Sequence, residues 1–178
     1  GAEASDTWYY LYLIFNPDTE EVAGLISASA TAPTLPSGFT KKRLVGAVKN
    51  DGSSDFISFI QRDRRWERPQ AVLFMDVTST SFLEYDPSNF IPTGLSGCIL
   101  VAWYAKSTST NSPAGHISAD GTGTYVYTQL VALGFTVTNM QGHDLCEFNL
   151  NTDRTFWAKS DAATDSVTVR VRGCVLDL

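Results

Sequence analysis

Short apolar runs separated by turn residues dominate the hydrophobic pattern of the chain. The clearest run is residues 167–172, in which valine alternates with threonine or arginine. Such alternation predicts a strand with one buried and one solvated face. No segment carries apolar residues at the spacing of an amphipathic helix between capping residues. About ten short strands, spaced roughly 8–15 residues apart, therefore predict an all-β antiparallel β-sandwich of the jelly-roll-like kind.

Residues 8–15 form the longest apolar run, with no polar break. A strand of this kind is expected to be covered on both faces. A turn follows at residues 16–19, and residues 21–29 are predicted to return as the second strand of a hairpin. The sandwich core supplies one cover for residues 8–15. The second cover is expected from another layer of the same chain or from a neighbouring subunit.

Turn signals also predict a second hairpin and one long loop. Asn50-Asp51-Gly52 separates residues 43–49 from residues 55–62, which are expected to pair with each other. Residues 107–123 are rich in serine, threonine, glycine and asparagine, which predicts a long surface loop. Further strands are predicted at residues 71–77, 80–85, 98–106, 124–131, 135–139, 145–150 and 155–159.

Length and composition then limit the class of protein. With 178 residues the chain is expected to be a single domain, residues 1–178, with a full core. A formal net charge of −6 disfavours a nucleic-acid partner, because binding to a phosphate backbone needs a basic surface. No run of 18 apolar residues is present, so membrane insertion is not expected, and no export signal is visible.

Three cysteines, Cys98, Cys146 and Cys174, are odd in number and far apart in the chain. They form no closely spaced pair, so neither a disulfide framework nor a zinc ribbon is predicted. All three are expected to be unpaired thiols in a protein made in a reducing cytoplasm. Cys98 and Cys174 lie in apolar runs and are expected to be buried.

Candidate catalytic groups are few. His143 and Asp144 are neighbours, and on a strand they would point to opposite faces, so they cannot orient each other. His116 falls in the predicted loop at residues 107–123. Carboxylates that could form a glycosidase pair lie mostly beside turn residues, and their separation decides such a pair. They are Asp76, Glu84, Asp86, Glu147 and Asp153. We therefore expect no enzyme activity, no catalytic residue, no metal site and no cofactor.

The most unusual segment is residues 62–68, which hold four of the eight arginines, two acids and a tryptophan. An exposed tryptophan can stack on a sugar ring while guanidinium groups bind its carboxylates. The predicted ligand-binding residues are Arg64, Arg65, Trp66 and Arg68. The alternatives are a solvated hairpin or a contact between subunits, where tryptophan and arginine are also enriched. The loop at residues 107–123 is the second predicted place for ligand contact.

The first third of the chain resembles a known group of proteins. Five segments carry the pattern, in the order Thr7-Trp8-Tyr9-Tyr10, Ser27-Ala28-Ser29-Ala30, Pro33-Thr34-Leu35-Pro36-Ser37-Gly38-Phe39, Arg43-Leu44-Val45-Gly46-Ala47-Val48 and Phe56-Ile57-Ser58-Phe59-Ile60-Gln61. They resemble the distal domains of tail fibres and related appendages of tailed phages and prophages. Beyond Trp66 the similarity is one of strand rhythm alone.

The resemblance implies a virion structural protein, made in the bacterial cytoplasm, with a β-sandwich that is often homotrimeric and meets the host surface. It implies no catalytic residues. Because such domains usually follow a shaft, the chain is expected to be either the distal part of a longer fibre protein or a short separate product. Host-surface polysaccharide is the expected ligand. The main alternative is a carbohydrate-binding module or lectin-like domain of a cellular protein, and a third is a small glycosidase or esterase.

Overall fold

The computed structural model describes residues 3–53, 55–107, 114–118, 120–122, 126–131, 141–150, 154–163 and 165–176. Every paired strand among them is antiparallel, and these residues contain no helix. The strands are β1 (Trp8–Asn16), β2 (Glu21–Ser27), β3 (Lys41–Lys49), β4 (Ile60–Arg62), β5 (Arg65–Val77), β6 (Leu83–Tyr85), β7 (Ser96–Ser107), β8 (Ala114–Ser118), β9 (Val126–Val131), β10 (Gln141–Asn149), β11 (Phe156–Ser160) and β12 (Asp165–Leu176). The predicted all-β antiparallel class is confirmed.

The strands form three sheets. A three-stranded sheet has the order β2-β1-β3, a five-stranded sheet the order β10-β7-β12-β5-β4, and a four-stranded sheet the order β6-β11-β8-β9. β7 and β12 of the five-stranded sheet lie beside β8 of the four-stranded sheet, as expected for two packed layers. Buried side chains from all three sheets belong to one hydrophobic cluster. In the part of the chain described, no helix is long and apolar enough to cross a membrane.

β1 fixes the three-stranded sheet onto the rest of the molecule. Its alternate residues Trp8, Tyr10, Tyr12 and Ile14 are buried, so one face of the strand enters the core. The indole N–H of Trp8 donates to the carbonyl of Ser88 at 2.9 Å, which satisfies a polar group that burial would otherwise leave unpaired. The loop at residues 86–95 is thereby held against the inner face of this sheet.

β12 lies at the centre of the five-stranded sheet, between β7 and β5. Its alternating residues Val167, Val169 and Val171 are fully buried, as predicted. On the face predicted to be solvated, Arg170 is exposed but Thr168 is also buried. A β-bulge interrupts the pairing with β5 before Gly173. A Cβ atom added at Gly173 would stand 2.0 Å from the backbone oxygen of Trp66, so only glycine fits this close approach.

Two expectations about the strands were wrong. Residues 55–62 do not form a hairpin with β3: β4 pairs with β5 instead, and residues 55–59 contact the end of β3 through one bridge, between Asn50 and Phe56. Residues 107–123 are not one continuous loop, because β8 lies inside them and joins β9 and β11. Gly115 of β8 packs so closely on Val167 that a Cβ atom would meet that side chain at 2.2 Å.

The other predicted strands have mixed outcomes. The hairpin of β1 and β2 and the strands near residues 145–150 and 155–159 are confirmed. Only Leu83–Tyr85 of the predicted residues 80–85 is a strand. The prediction for residues 135–139 lies outside the described residues. Cys174 is fully buried, as predicted. The side chains of Cys98 and Cys146 lie outside the described part.

Candidate functional site

The four predicted ligand residues do not converge on one surface, because three of them lie on β5 and the strand alternates. β5 begins at Arg65, so Arg65 faces one side and Trp66 and Arg68 the other. Arg64 precedes the strand in the turn from β4. The sequence suggested an exposed hairpin because of its charges, whereas the strand period sends every second residue inward.

The prediction that Trp66 is an exposed platform is wrong. Its side chain is fully buried, with its ring between Trp8 at 5.3 Å and Phe59 at 5.8 Å. The indole N–H donates to the carbonyl of Ala47 on β3 at 3.1 Å, joining the five-stranded sheet to the three-stranded sheet. A ring covered on both faces cannot stack on a sugar, so Trp66 is a core residue.

Arg64 and Arg65 are exposed, and both have contacts within the chain. Arg64 Nε donates to the carbonyl of Leu176 at 2.8 Å, which ties the β4–β5 turn to the end of β12. Arg65 Nε donates to a Glu67 carboxylate oxygen at 2.5 Å, and Arg65 Nη1 lies 3.8 Å from Glu147 of β10. These contacts hold the two side chains apart from Arg68, on different sides of the sheet.

Arg68 lies on the inner side, with its guanidinium carbon 5.8 Å from the centre of the Phe90 ring. Its Nε is buried and has no hydrogen-bond partner among the described residues, and burial lowers the pKa of the guanidinium. Lys49 is also buried and donates to the carbonyl of Asn89 at 3.0 Å. Burial lowers the pKa of Lys49, and the charge of Arg68 lowers it further, while Asp6 raises it. The pair stabilises the loop at residues 86–95 rather than facing solvent.

The second predicted place for ligand contact contains a histidine–carboxylate pair. Nε2 of His116 lies 2.7 Å from a carboxylate oxygen of Asp161, which also has the Lys159 ammonium at 3.4 Å. The hydroxyl of Ser160, which precedes Asp161 in the sequence, is on a buried residue and donates to the carbonyl of Ala162 at 2.8 Å. Among the described residues no hydroxyl or thiol is hydrogen-bonded to His116, so these residues by themselves do not form a catalytic triad.

The other catalytic candidates are also dispersed. Asp76 accepts a hydrogen bond from Thr168 at 2.5 Å, and Glu84 accepts one from Thr155 at 2.6 Å. Asp86 accepts the backbone N–H of Ser88, as in an Asx turn. Asp153 and the side chain of His143 lie outside the described residues. Within the described residues no group of three histidine, cysteine or acidic side chains could hold a metal ion.

Several large apolar side chains are exposed on the outward side of the β1–β2 hairpin. Pairing places Leu11 opposite Ile26, Leu13 opposite Gly24, and Phe15 opposite Val22. We call this surface the outer face; it consists of Leu11, Leu13, Phe15, Val22, Gly24 and Ile26, with Tyr9 and Phe56 at one end. Val22 keeps 64% of its surface exposed, and Ile26 and Phe56 each keep 54%. Apolar surface clustered in this way is typical of an interaction site.

Part of the outer face could be predicted from the sequence. Residues 8–15 were predicted to need two covers, and the structure provides one: the inner face is in the core, while Leu13 remains 48% exposed. Site reasoning missed Val22, Ile26 and Phe56, since isolated exposed apolar residues carry no chemical signature. The useful signal was that both strands of the hairpin are apolar on both faces.

A shallow groove of about 520 Å³ lies at the Tyr9 end of the outer face. Its lining combines the aromatic side chains of Tyr9 and Phe56 with polar groups of Glu3 and Thr7. The Tyr9 hydroxyl accepts the backbone N–H of Ala4 at 2.7 Å, which fixes the ring. Aromatic rings beside hydrogen-bonding groups provide the chemistry that a neutral sugar ring needs.

Charged residues border the outer face at the end where β1 turns into β2 and where β3 begins. Asp18, Glu20 and Glu21, at the β1–β2 turn, are exposed and form what we call the acidic edge. Lys41, Lys42 and Arg43, at the start of β3, are exposed and form the basic edge. Lys41 pairs with Phe15, and Arg43 pairs with Leu13. β1 separates the two edges, so they lie roughly 10 Å apart, beyond direct contact.

A comparison with known proteins finds no family that matches the chain and no curated protein that matches it in sequence.

Proposed function

We propose that the chain is a structural protein of a phage or prophage appendage of the tail-fibre kind, which assembles with copies of itself and contacts host-surface glycans. The observation that carries this proposal is the outer face of an antiparallel sheet, where Leu13, Val22 and Ile26 remain exposed although the opposite side of β1 is buried in the core. A protein that acts alone in water gains nothing from such a surface.

The resemblance in residues 7–61 supports the phage part of the proposal. Four of the five segments lie in or next to the strands of the three-stranded sheet, the Pro33–Phe39 connection included. The fifth, Phe56–Gln61, runs from the bridge with Asn50 into β4 of the five-stranded sheet. In the Pro33–Phe39 connection Phe39 N–H donates to the Pro36 carbonyl, and Gly38 has a φ of 84°, which glycine adopts readily. A Cβ atom at Gly38 would meet Asn16 at 2.7 Å, so the motif has a packing reason for its glycine.

The experiment that tests this proposal uses particles rather than the isolated chain. Tailed particles are induced from the bacterial strain that carries the gene, purified by density, and analysed by mass spectrometry. We expect peptides of this chain at a stoichiometry comparable with other tail proteins. Their absence from purified particles, with the chain recovered only from cell lysate, would overturn the appendage assignment.

A carbohydrate-binding module of a cellular protein is the second candidate, favoured by the groove between Tyr9 and Phe56. It predicts a monomer that binds sugars in that groove. Both candidates are separated by a glycan array probed with the wild type and with Phe56→Ala, with Leu83→Ala on β6 as a matched control. Leu83 is 45% exposed and lies on the four-stranded sheet. A monomer that binds glycans, together with absence of the chain from purified particles, supports the carbohydrate-binding module. Recovery of the chain from purified particles supports the appendage.

A further inference from the structure

We infer that the outer face is the surface through which two copies of this chain dock, with the acidic edge of one copy against the basic edge of the next. This inference rests on the proposed function, because an appendage protein requires contact between copies. It is argued from apolar exposure, from one glycine and from the charges along the edges.

The attraction between two copies comes from the exposed apolar side chains of the outer face. Leu13, Val22 and Ile26 each keep about half or more of their surface in water, and they are neighbours on adjacent strands. A nine-residue strand is about 30 Å long and three strands span roughly 10–14 Å, so the sheet offers a footprint on the order of 400 Å². That is about half of the roughly 800 Å² that each partner gives to a stable interface, so the association is expected to be weak and to depend on concentration.

Gly24 leaves a depression in the outer face. It lies opposite Leu13 on β2, between Val22 and Ile26, and a Cβ atom added there would have no neighbour within 4 Å. The contact that excludes a side chain at Gly173 or Gly115 is therefore absent at Gly24. A glycine inside an exposed strand weakens the strand and leaves a depression, which suits the close approach of another chain.

The acidic and basic edges determine which partner can dock on the outer face. A partner of a single charge would be attracted by one edge and repelled by the other, since Glu20 and Glu21 border one side and Lys41 and Arg43 the other. No ion pair joins these four residues to any other described residue. A second copy carries both edges, so it can place acidic residues against basic residues at both edges at once. The outer face is therefore complementary to itself.

The first experiment changes only the depression. Sedimentation velocity at micromolar concentrations is compared for the wild type, Gly24→Arg and the control Thr80→Arg, which adds the same charge in an exposed loop beside the four-stranded sheet. We expect the wild type and Thr80→Arg to associate equally and Gly24→Arg to bind at least about tenfold more weakly. Far-UV circular dichroism verifies that the variants are folded.

The second experiment changes only the edges. Glu20→Lys/Glu21→Lys and Lys41→Glu/Arg43→Glu each place like charges against like charges between identical copies, so each variant alone is expected to be monomeric. Mixed in equal amounts, the two variants are expected to form a heteromeric complex, which weakens as salt rises because it depends on exposed charges. A mixture that remains monomeric while the wild type associates would overturn the pairing of the edges.

The outcomes separate this inference from the proposed function. Association that Gly24→Arg leaves intact overturns the outer face as the interface, and the appendage assignment still depends on the particle experiment. A wild type that stays monomeric at high micromolar concentration overturns docking by a second copy. If that monomer binds glycans and Gly24→Arg abolishes the binding, the occupant of the outer face is a sugar and the inference is wrong.

Discussion

Truncation of Trp66 tests whether the tryptophan in the arginine-rich segment belongs to the core. Its side chain is fully buried, it contacts two aromatic rings, and its N–H holds the carbonyl of Ala47. Replacing a buried tryptophan with alanine costs about 3–5 kcal/mol, because transfer free energy is lost and a cavity remains. Against a total stability of roughly 5–15 kcal/mol, this loss is about a fifth or more of the free energy of unfolding.

Urea unfolding followed by far-UV circular dichroism measures this loss. With a urea slope of about 2 kcal/mol per molar, Trp66→Ala is expected to lower the midpoint by about 1.5–2.5 M. Trp66→Phe keeps an aromatic ring but removes the hydrogen-bond donor, so an intermediate loss of about 1–3 kcal/mol is expected. The control Phe56→Ala alters a side chain that is 54% exposed and is expected to cost about 1 kcal/mol or less.

The core role of Trp66 is contradicted if Trp66→Ala lowers the urea midpoint by less than about 0.5 M with an unchanged urea slope. That result would mean that the ring contributes little to packing, and the earlier view of Trp66 as an exposed sugar platform would return. Equal losses for Trp66→Ala and Phe56→Ala would likewise contradict the difference in burial on which the prediction rests.

Three further predictions concern other parts of the fold. Gly173→Ala forces a side chain onto the backbone of β5 and should cost about 1–3 kcal/mol in thermal or urea unfolding, whereas Gly24→Ala enters open space and should be neutral or slightly stabilising. Burial raises the pKa of Tyr10 above its ordinary value of about 10, so the folded state keeps its proton longer. Stability should therefore fall as pH rises above about 10, and Tyr10→Phe should flatten that fall; an unchanged slope would exclude Tyr10 as its source. Cys174 should resist alkylation in the native state and react after unfolding, as measured by peptide mass mapping; rapid native labelling would contradict its burial.

The elements that could be predicted from the sequence are those whose pattern is local. Each strand of the β1–β2 hairpin and the valine alternation of β12 are visible over fewer than about ten residues, because a strand repeats every two residues. The fold class follows from the same patterns. The pairing of β4 with β5 instead of β3 could not be predicted, since a turn signal at Asn50-Asp51-Gly52 does not decide which distant strand is the better partner.

The predicted site failed for a related reason. Charge density at residues 62–68 indicated exposure, but whether Trp66 faces the core depends on where β5 starts and on what covers it. β8 was not predicted because its serine, glycine and histidine make the segment polar on average. Its Gly115 nevertheless packs against the buried Val167. Composition reports how polar a segment is on average, and a half-buried strand needs only every second residue to be small or apolar.

The position of β12 in the chain has a consequence for synthesis. β5 and β7 flank β12 in the five-stranded sheet, yet both leave the ribosome long before residues 165–176 do. Until then each exposes a row of unpaired backbone groups along the edge that β12 later occupies, which is a template for pairing with another nascent chain. A ribosome that pauses before residue 165 therefore holds a chain prone to aggregation, and slow folding at this stage is expected from the long sequence separation of the paired strands. The yield of folded protein should therefore depend more on how fast and how completely β12 is translated than on the translation rate of the segments before it.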